Sequence, residues 1–435
     1  MSIAIIELND SGLHCASGRD EPIVSPGYAL LTPQGITTGE AALKRAYLEP
    51  QQSFNQYWRQ LNLSPLPVRS KVARHHADLA YAQLLQLHQE SGSPAQIIFA
   101  TPGSFDREQL AILLGLAKAS PFEATGLVDA AVAAATQAGL SGELLHLDIQ
   151  LHQAVVTRLY AGGEIERRGV DVLPELGIKS FYDTWAQHIA DQFIRQYRYD
   201  PLHTAAGEQQ LYDRLPGWLA QLSGSQEVGV ELDSPQGRYR INLGREQLLA
   251  SSSQRSQQLQ KKLAELRRNG EILLSSHRIG LLPGLSELLT PAKVLPASAV
   301  IDGCLMHLER IGGQGEQLAF VTRLPGNGSG TAQPTIGSEP TLPEATTSPA
   351  SQPSHVLYGH RAYPLGAEGL SIDSGDSELH IRNNSEGAIQ LRYHNGQLQL
   401  QTTSSNVSCS GNWDDLLSGD SIRVGDQRLE LIEVL

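Results

Sequence analysis

Cysteine is scarce in this chain of 435 residues: Cys15, Cys304 and Cys409 lie far apart and form no CxxC or zinc-ligand pattern. That excludes a disulfide framework and points to a reducing compartment. Basic residues are also few, 33 against 46 acidic ones, leaving a net charge of −13. Neutralising nucleic-acid phosphates needs clustered Lys and Arg, so general nucleic-acid binding is excluded. The compact basic runs Arg167-Arg168, Lys261-Lys262 and Arg267-Arg268 read as solvated helix faces and turn edges. No segment approaches the ~20 apolar residues of a membrane span. The start of the chain, Met1 to Glu7, has neither the basic region nor the apolar stretch of a signal peptide, so a cytoplasmic protein is expected. There is no GxSxG, HExxH or Walker lysine loop. His75-His76, His146, His152 and His277 lack metal-ligand spacing, and no metal site is expected.

What is present is an ordinary globular composition, with 40% hydrophobic residues over a length that suggests two or three domains. Residues 325–354 are almost all Pro, Gly, Ser, Thr, Ala and acidic residues, a composition that predicts a flexible tether. It divides a long part, 1–324, from a short one, 355–435.

Strand-like and helix-like runs alternate along the long part. Strands are predicted at 2–7, 13–16, 96–100 and 272–274, and a hairpin over 144–149 and 154–160. Helices are predicted over 72–90, 106–119, 181–197, 245–268 and 297–309, the second capped near Ser104 or Phe105. Such alternation indicates an α/β domain with helices on the faces of mixed sheets. The tail instead reads as short alternating strands divided by Gly, Asn, Asp and Ser, with Asn395-Gly396 as a hairpin turn. A small all-β sandwich or barrel is expected there.

Six segments of the long part stand in a telling order. Residues 97–105 followed by Arg107-Glu108-Gln109 form a strand–Pro–Phe–helix segment, and 126–135 an alanine-rich helix candidate. His146-Leu147-Asp148-Ile149 starts a hairpin, and 176–198 begins a long helix. Residues 275–284 are a Ser-Ser…Gly…Pro-Gly segment, and 296–303 a closing helix. Together, across about residues 1 to 312, they resemble the actin and DnaK-type heat-shock chaperone superfamily. The resemblance implies a two-lobed, ribonuclease-H-like ATPase fold, with the second lobe entered near 176–180 and the return near 296–312. In that family two Gly- and Ser/Thr-rich hairpins cradle the phosphates of Mg-bound ATP, an acidic residue on each arranging metal and water.

The resemblance places nucleotide contacts at Glu7, Asp10, Ser11 and Gly12 of the first loop, and at Asp148 of the second. It places others at Ser275, Ser276, Arg278 and Gly280 of the adenosine segment. Asp129 stands for the connecting-helix glutamate and Lys261 for an adenine-side lysine. The departures fall on the chemistry. Glu7 replaces an Asp, Asn9 a Gly, Gln150-Leu151-His152 a glycine run, and Ser275-Ser276 a Gly pair. Backbone can approach phosphate oxygens only where no Cβ intervenes, so the cradle is lost. The polar linker and short tail leave no room for an apolar linker and a peptide-binding sandwich with a lid.

In the tail, 416–425 followed by Arg428-Leu429-Glu430-Leu431 resembles the closing strands of a forkhead-associated domain. That implies phosphothreonine contacts by Arg382, Ser385, Ser405 and Asn406, although Glu368-Gly369-Leu370 stands where that family opens with Gly-Arg. The expectation is a pseudo-ATPase scaffold or regulator that binds protein partners and needs no cofactor. The alternatives are a divergent, active chaperone ATPase using Mg-bound ATP or ADP, and an actin-like component of a larger apparatus.

Overall fold

A computed structural model describes residues 3–18, 21–312 and 318–326. In the tail it describes 353–358, 361–365, 369–374, 379–382, 387–394, 397–404, 406–409, 413, 416–417, 420–425 and 427–432. The chain divides into two compact units, 1–331 and 332–435.

The first unit is mixed α/β. It opens with a meander of β1 (Ile3–Glu7), β2 (Leu13–Ser17) and β3 (Ile23–Ser25). A small excursion follows: β4 (Ala29–Thr32), β5 (Gly35–Thr38), α1 (Glu40–Leu43) and β6 (Ser53–Phe54). Then come α2 (His76–Glu90), β7 (Gln96–Thr101), α3 (Arg107–Lys118), β8 (Glu123–Asp129) and α4 (Ala130–Ala135). A second meander, β9 (Gly142–Ile149), β10 (Gln153–Ala161) and β11 (Glu164–Pro174), leads into α5 (Ile178–Tyr197) and α6 (Ala205–Gly224). The hairpin β12 (Glu227–Ser234) and β13 (Gly237–Gly244) precedes α7 (Arg245–Ser251) and α8 (Ser253–Leu266). The unit closes with β14 (Ile272–Ser275), α9 (Leu285–Leu288), β15 (Ala292–Val294), α10 (Ala299–Met306), α11 (Leu308–Ile311), β16 (Phe320–Val321) and β17 (Arg323–Pro325).

Two six-stranded sheets organise these elements, ordered β16-β8-β7-β1-β2-β3 and β15-β14-β9-β10-β11-β17. Apart from the last-formed strand of each, they share one plan. An antiparallel meander of three strands is extended beside its first strand by two parallel ones. The parallel strands β1 and β7 are buried on both faces, which explains their unbroken runs Ile3-Ala4-Ile5-Ile6 and Ile97-Ile98-Phe99-Ala100. One core joins Ile5, Ile98 and Val128 of the first sheet to Leu144, Leu159 and Leu274 of the second through α4 and α10. The two helices cross so closely that a Cβ on Gly303 would lie 2.0 Å from the Ala133 carbonyl oxygen. The alanines of α4 and this glycine make the crossing possible.

The end of the unit ties the sheets together. β16 pairs parallel with β8 of the first sheet, and β17 antiparallel with β11 of the second. Leu324 is buried, and Arg323 pairs with Glu164 and Glu166.

Several boundaries differ from the sequence reading. The helix expected from Val72 starts at His76, because Ser70 accepts from the Val72 amide in a turn and His75 caps the helix with Asp78. The helix expected at 106–119 is capped by Asp106, which exchanges hydrogen bonds with Gln109. The alanine-rich stretch from Gly126 begins as strand and turns helical only after Asp129. The helices expected over 245–268 and 297–309 are each broken in two, at Ser252 and His307.

The C-terminal unit is all-β. Its five-stranded sheet runs β19 (Arg361–Pro364), β18 (His355–Tyr358), β26 (Gln427–Ile432), β25 (Ser421–Val424), β24 (Val407–Cys409). Its four-stranded sheet runs β21 (Leu379–Arg382), β20 (Leu370–Ser374), β22 (Ile389–His394), β23 (Gln397–Thr402). Alternate residues from both sheets, among them Val356, Ile372, Leu391 and Leu429, form one apolar core. The expected turn at Asn395-Gly396 and most of the expected tether lie outside the described residues.

Candidate functional site

The tips of the two meanders face each other. In the first, Asn9 takes the amide and hydroxyl of Ser11 on its side-chain oxygen at 2.9 and 2.7 Å. Its amide nitrogen donates to Asp148 Oδ2 at 2.8 Å and to the Ile149 carbonyl at 3.1 Å. Asp10 Oδ1 accepts from the Leu151 amide at 2.7 Å. Asn9 therefore stitches the tips together, and the Ser11 hydroxyl is turned inward to it.

The second tip is used up in the same way. Gln150 and Leu151 offer their carbonyls to the amides of Ile178 and Lys179, both at 2.9 Å, in the first turn of α5. Those amides would otherwise form an anion-binding helix terminus. The approach depends on Gly177, where a Cβ would lie 2.4 Å from the Gln153 nitrogen.

Between the tips lies Arg278, on the short 3₁₀ turn after β14 and only 2% exposed. Its guanidinium donates to Glu7 Oε1 at 2.6 Å and to the Gly12 carbonyl at 3.2 Å, and stands 3.7 Å from Asp148 Oδ1. Burial works against its charge, but Glu7 and Asp148 outweigh that penalty and hold its pKa above the ordinary arginine value. The space left beside Glu7, His146, Asp148, Ser276 and Arg278 is about 20 Å³, room for about one water.

The surrounding groups are tuned by this burial. Asp10 is pushed up to about 6, chiefly by desolvation, with the Leu151 amide opposing and Asp148 adding to the rise. His14, 3.5 Å from Glu7, and His277 are both pushed down to about 4 by desolvation and by Arg278. Burial likewise lowers His146, whose ring nitrogens find no hydrogen-bond partner among the described residues. No group of His, Cys, Asp and Glu among the described residues has the geometry to hold a metal ion.

Beyond the tips, Tyr47 and Tyr212 stack with centroids 4.0 Å apart. Gln209 of α6 accepts from the Tyr47 amide at 2.9 Å and donates to the Leu43 carbonyl at 3.0 Å. Lys179 lies within 6 Å of both rings and is paired with Asp183, which also accepts from the Tyr212 hydroxyl at 2.6 Å. These contacts close the segment after α1 onto α6.

Of the residues singled out in the sequence, Glu7, Asp10, Ser11, Gly12, Asp148, Ser276 and Arg278 come together at this centre. Ser275 is buried at the end of β14, its hydroxyl bonded to the Ser276 carbonyl. Gly280 is exposed with open space where a Cβ would go, so nothing there requires glycine. Asp129 caps α4 through the Ala131 and Val132 amides and pairs with Arg167 at 2.9 Å. Lys261 lies on the exposed face of α8 beside Glu265 and does not line the space beside Arg278. In the tail, Arg382 is exposed on β21, at the edge of one sheet. Asn406 precedes β24, at the edge of the other, and its carbonyl accepts from Gly425. Ser385 and Ser405 lie outside the described residues. The tip contacts onto α5 and the Tyr47–Tyr212 stack carry no local sequence signal. Known family models give no match to this chain, and neither do curated proteins. No helix among the described residues is long and apolar enough to cross a membrane.

Proposed function

We propose that the first unit is a degenerate actin and heat-shock-chaperone-like body that binds protein partners without turning over ATP. The observation that carries this reading is Arg278, whose buried guanidinium takes the place between Glu7 and Asp148 that a phosphate-bound magnesium ion would need. A fixed positive charge there offsets the charge of the two carboxylates and repels a metal ion, while Glu7 Oε2 and Asp148 Oδ1 find no hydrogen-bond partner among the described residues. The shared plan of the two sheets supports the kinship, and the occupied amides of α5 support the loss of phosphate binding. The C-terminal β unit fits a forkhead-associated-like module serving protein contacts. Cys15 and Cys304 are buried outside any disulfide, in keeping with a reducing, cytoplasmic setting.

The test is thermal unfolding of the full chain with Mg-ATP and Mg-ADP titrated to millimolar concentration. A ligand of the native state raises the melting temperature with concentration, and no rise is expected. A rise that disappears in Asp148→Ala would overturn the reading in favour of a divergent ATPase.

A further inference from the structure

On another face of the first unit, the segment 65–75 forms a closed loop. Leu66 and Ala73 are buried, and the Leu66 amide bonds the Arg74 carbonyl at 2.7 Å. Ser70 holds the turn, accepting from the amides of Val72 and Ala73 at 3.0 and 3.5 Å. The loop therefore presents a fixed surface. Arg69, Lys71 and Arg74 are exposed on it, and none forms an ion pair among the described residues. In a chain of net charge −13 this is an unusual concentration of unspent positive charge.

Beside the loop runs an open groove of about 410 Å³. Arg69 and Lys71 line it together with Leu31, Val68, Val72 and Gln52, and no acidic residue does. Val72 is 40% exposed, an apolar side chain left to solvent next to Lys71. Cations alone suit any polyanion, but a pair of cations flanked by the apolar Val68 and Val72 suits a chain that carries both carboxylates and apolar groups. Nucleic acid offers no aliphatic side chains to such a groove. We propose that this groove docks an extended acidic peptide segment of a partner protein, with carboxylates on Arg69 and Lys71 and an apolar side chain between Val68 and Val72. The site is separate from the Arg278 centre and does not depend on whether nucleotide binds there.

The probe is a fluorescein-labelled peptide, acetyl-Glu-Leu-Glu-Leu-Glu-Leu-Glu-amide, followed by anisotropy with the full chain at low and high salt. Binding is expected, weakened about tenfold or more by Arg69→Glu/Lys71→Glu and several-fold by raised salt, because exposed charges act through a screened field. Val72→Asn, which leaves the charge of the groove unchanged, is expected to weaken it severalfold as well, a loss that a purely electrostatic polyanion site would not show. Circular dichroism melts of each variant establish that the fold is kept. The proposal is overturned by absence of binding, by binding that ignores both substitutions, or by equal binding of a single-stranded dT12 oligonucleotide.

Discussion

The centre between the meander tips and the groove beside residues 68–72 hold arginine in opposite ways. At the centre Arg278 is buried, hydrogen-bonded to Glu7 and close to Asp148, with space for about one water beside it. At the groove Arg69 and Lys71 face about 410 Å³ of open space without a carboxylate. A charge consumed internally fixes structure, and one left unpaired at a preformed surface is available to a partner. The first unit has thus closed the place where its resemblance implies chemistry, and kept open a place with none.

The sharpest way to break this contrast is Arg278→Met. Removing one member of a buried pair leaves Glu7 uncompensated, so denaturant unfolding of the first unit is expected to show a loss of about 3–5 kcal/mol. Adding Glu7→Gln is expected to restore more than half of it, since the two positions are coupled. A loss below about 0.5 kcal/mol in the single variant would mean that the centre is solvated.

Asp10→Asn gives the next largest effect, and its sign depends on pH. The folded pKa of Asp10 is raised from 3.8 to about 6, so its contribution to stability is present below about pH 4 and lost as pH rises through 6. A shift of that size corresponds to on the order of 2–3 kcal/mol. Asparagine keeps the acceptor for the Leu151 amide, so the variant is expected to gain that amount at pH 8 and almost nothing at pH 4. His14 acts the other way. Held at about 4, it contributes stability above its ordinary 6.5 that is lost as pH falls toward 4. The Asp10 effect is therefore read as variant minus wild type at each pH. The smallest effect belongs to the groove: Arg69→Glu/Lys71→Glu is expected to change stability by no more than about 0.5 kcal/mol.

The sequence announced much of this and hid the rest for physical reasons. Strands buried on both faces, such as Ile3–Glu7 and Gln96–Thr101, betray themselves as unbroken apolar runs. The helix α6 does not. Its apolar residues Leu211, Leu215, Trp218, Leu219 and Leu222 keep helical spacing, but Gly207, Pro216 and Gly217 interrupt the pattern. The hairpin β12–β13 carries a period-two signal that the sequence reading leaves out: Val228, Val230 and Leu232 are buried in alternation, as are Ile241 and Leu243. At the centre, Glu7 and Asp148 are legible only through the resemblance, as the acidic residues of its two loops. Their partner was legible as a residue of interest but not in its role. Arg278 lies 271 residues from Glu7, and only the meeting of the two sheets brings them together.

The strap at the end of the first unit has a mechanical consequence. Beyond Gly326, tension on the chain falls first on β17, a ladder of three residue pairs against β11 anchored by Leu324. Because β16 belongs to one sheet and β17 to the other, a pull strong enough to peel β17 would also sever a tie between the sheets. The strap thus acts as a fuse, the edge strand β17 yielding before the five other strands of its sheet.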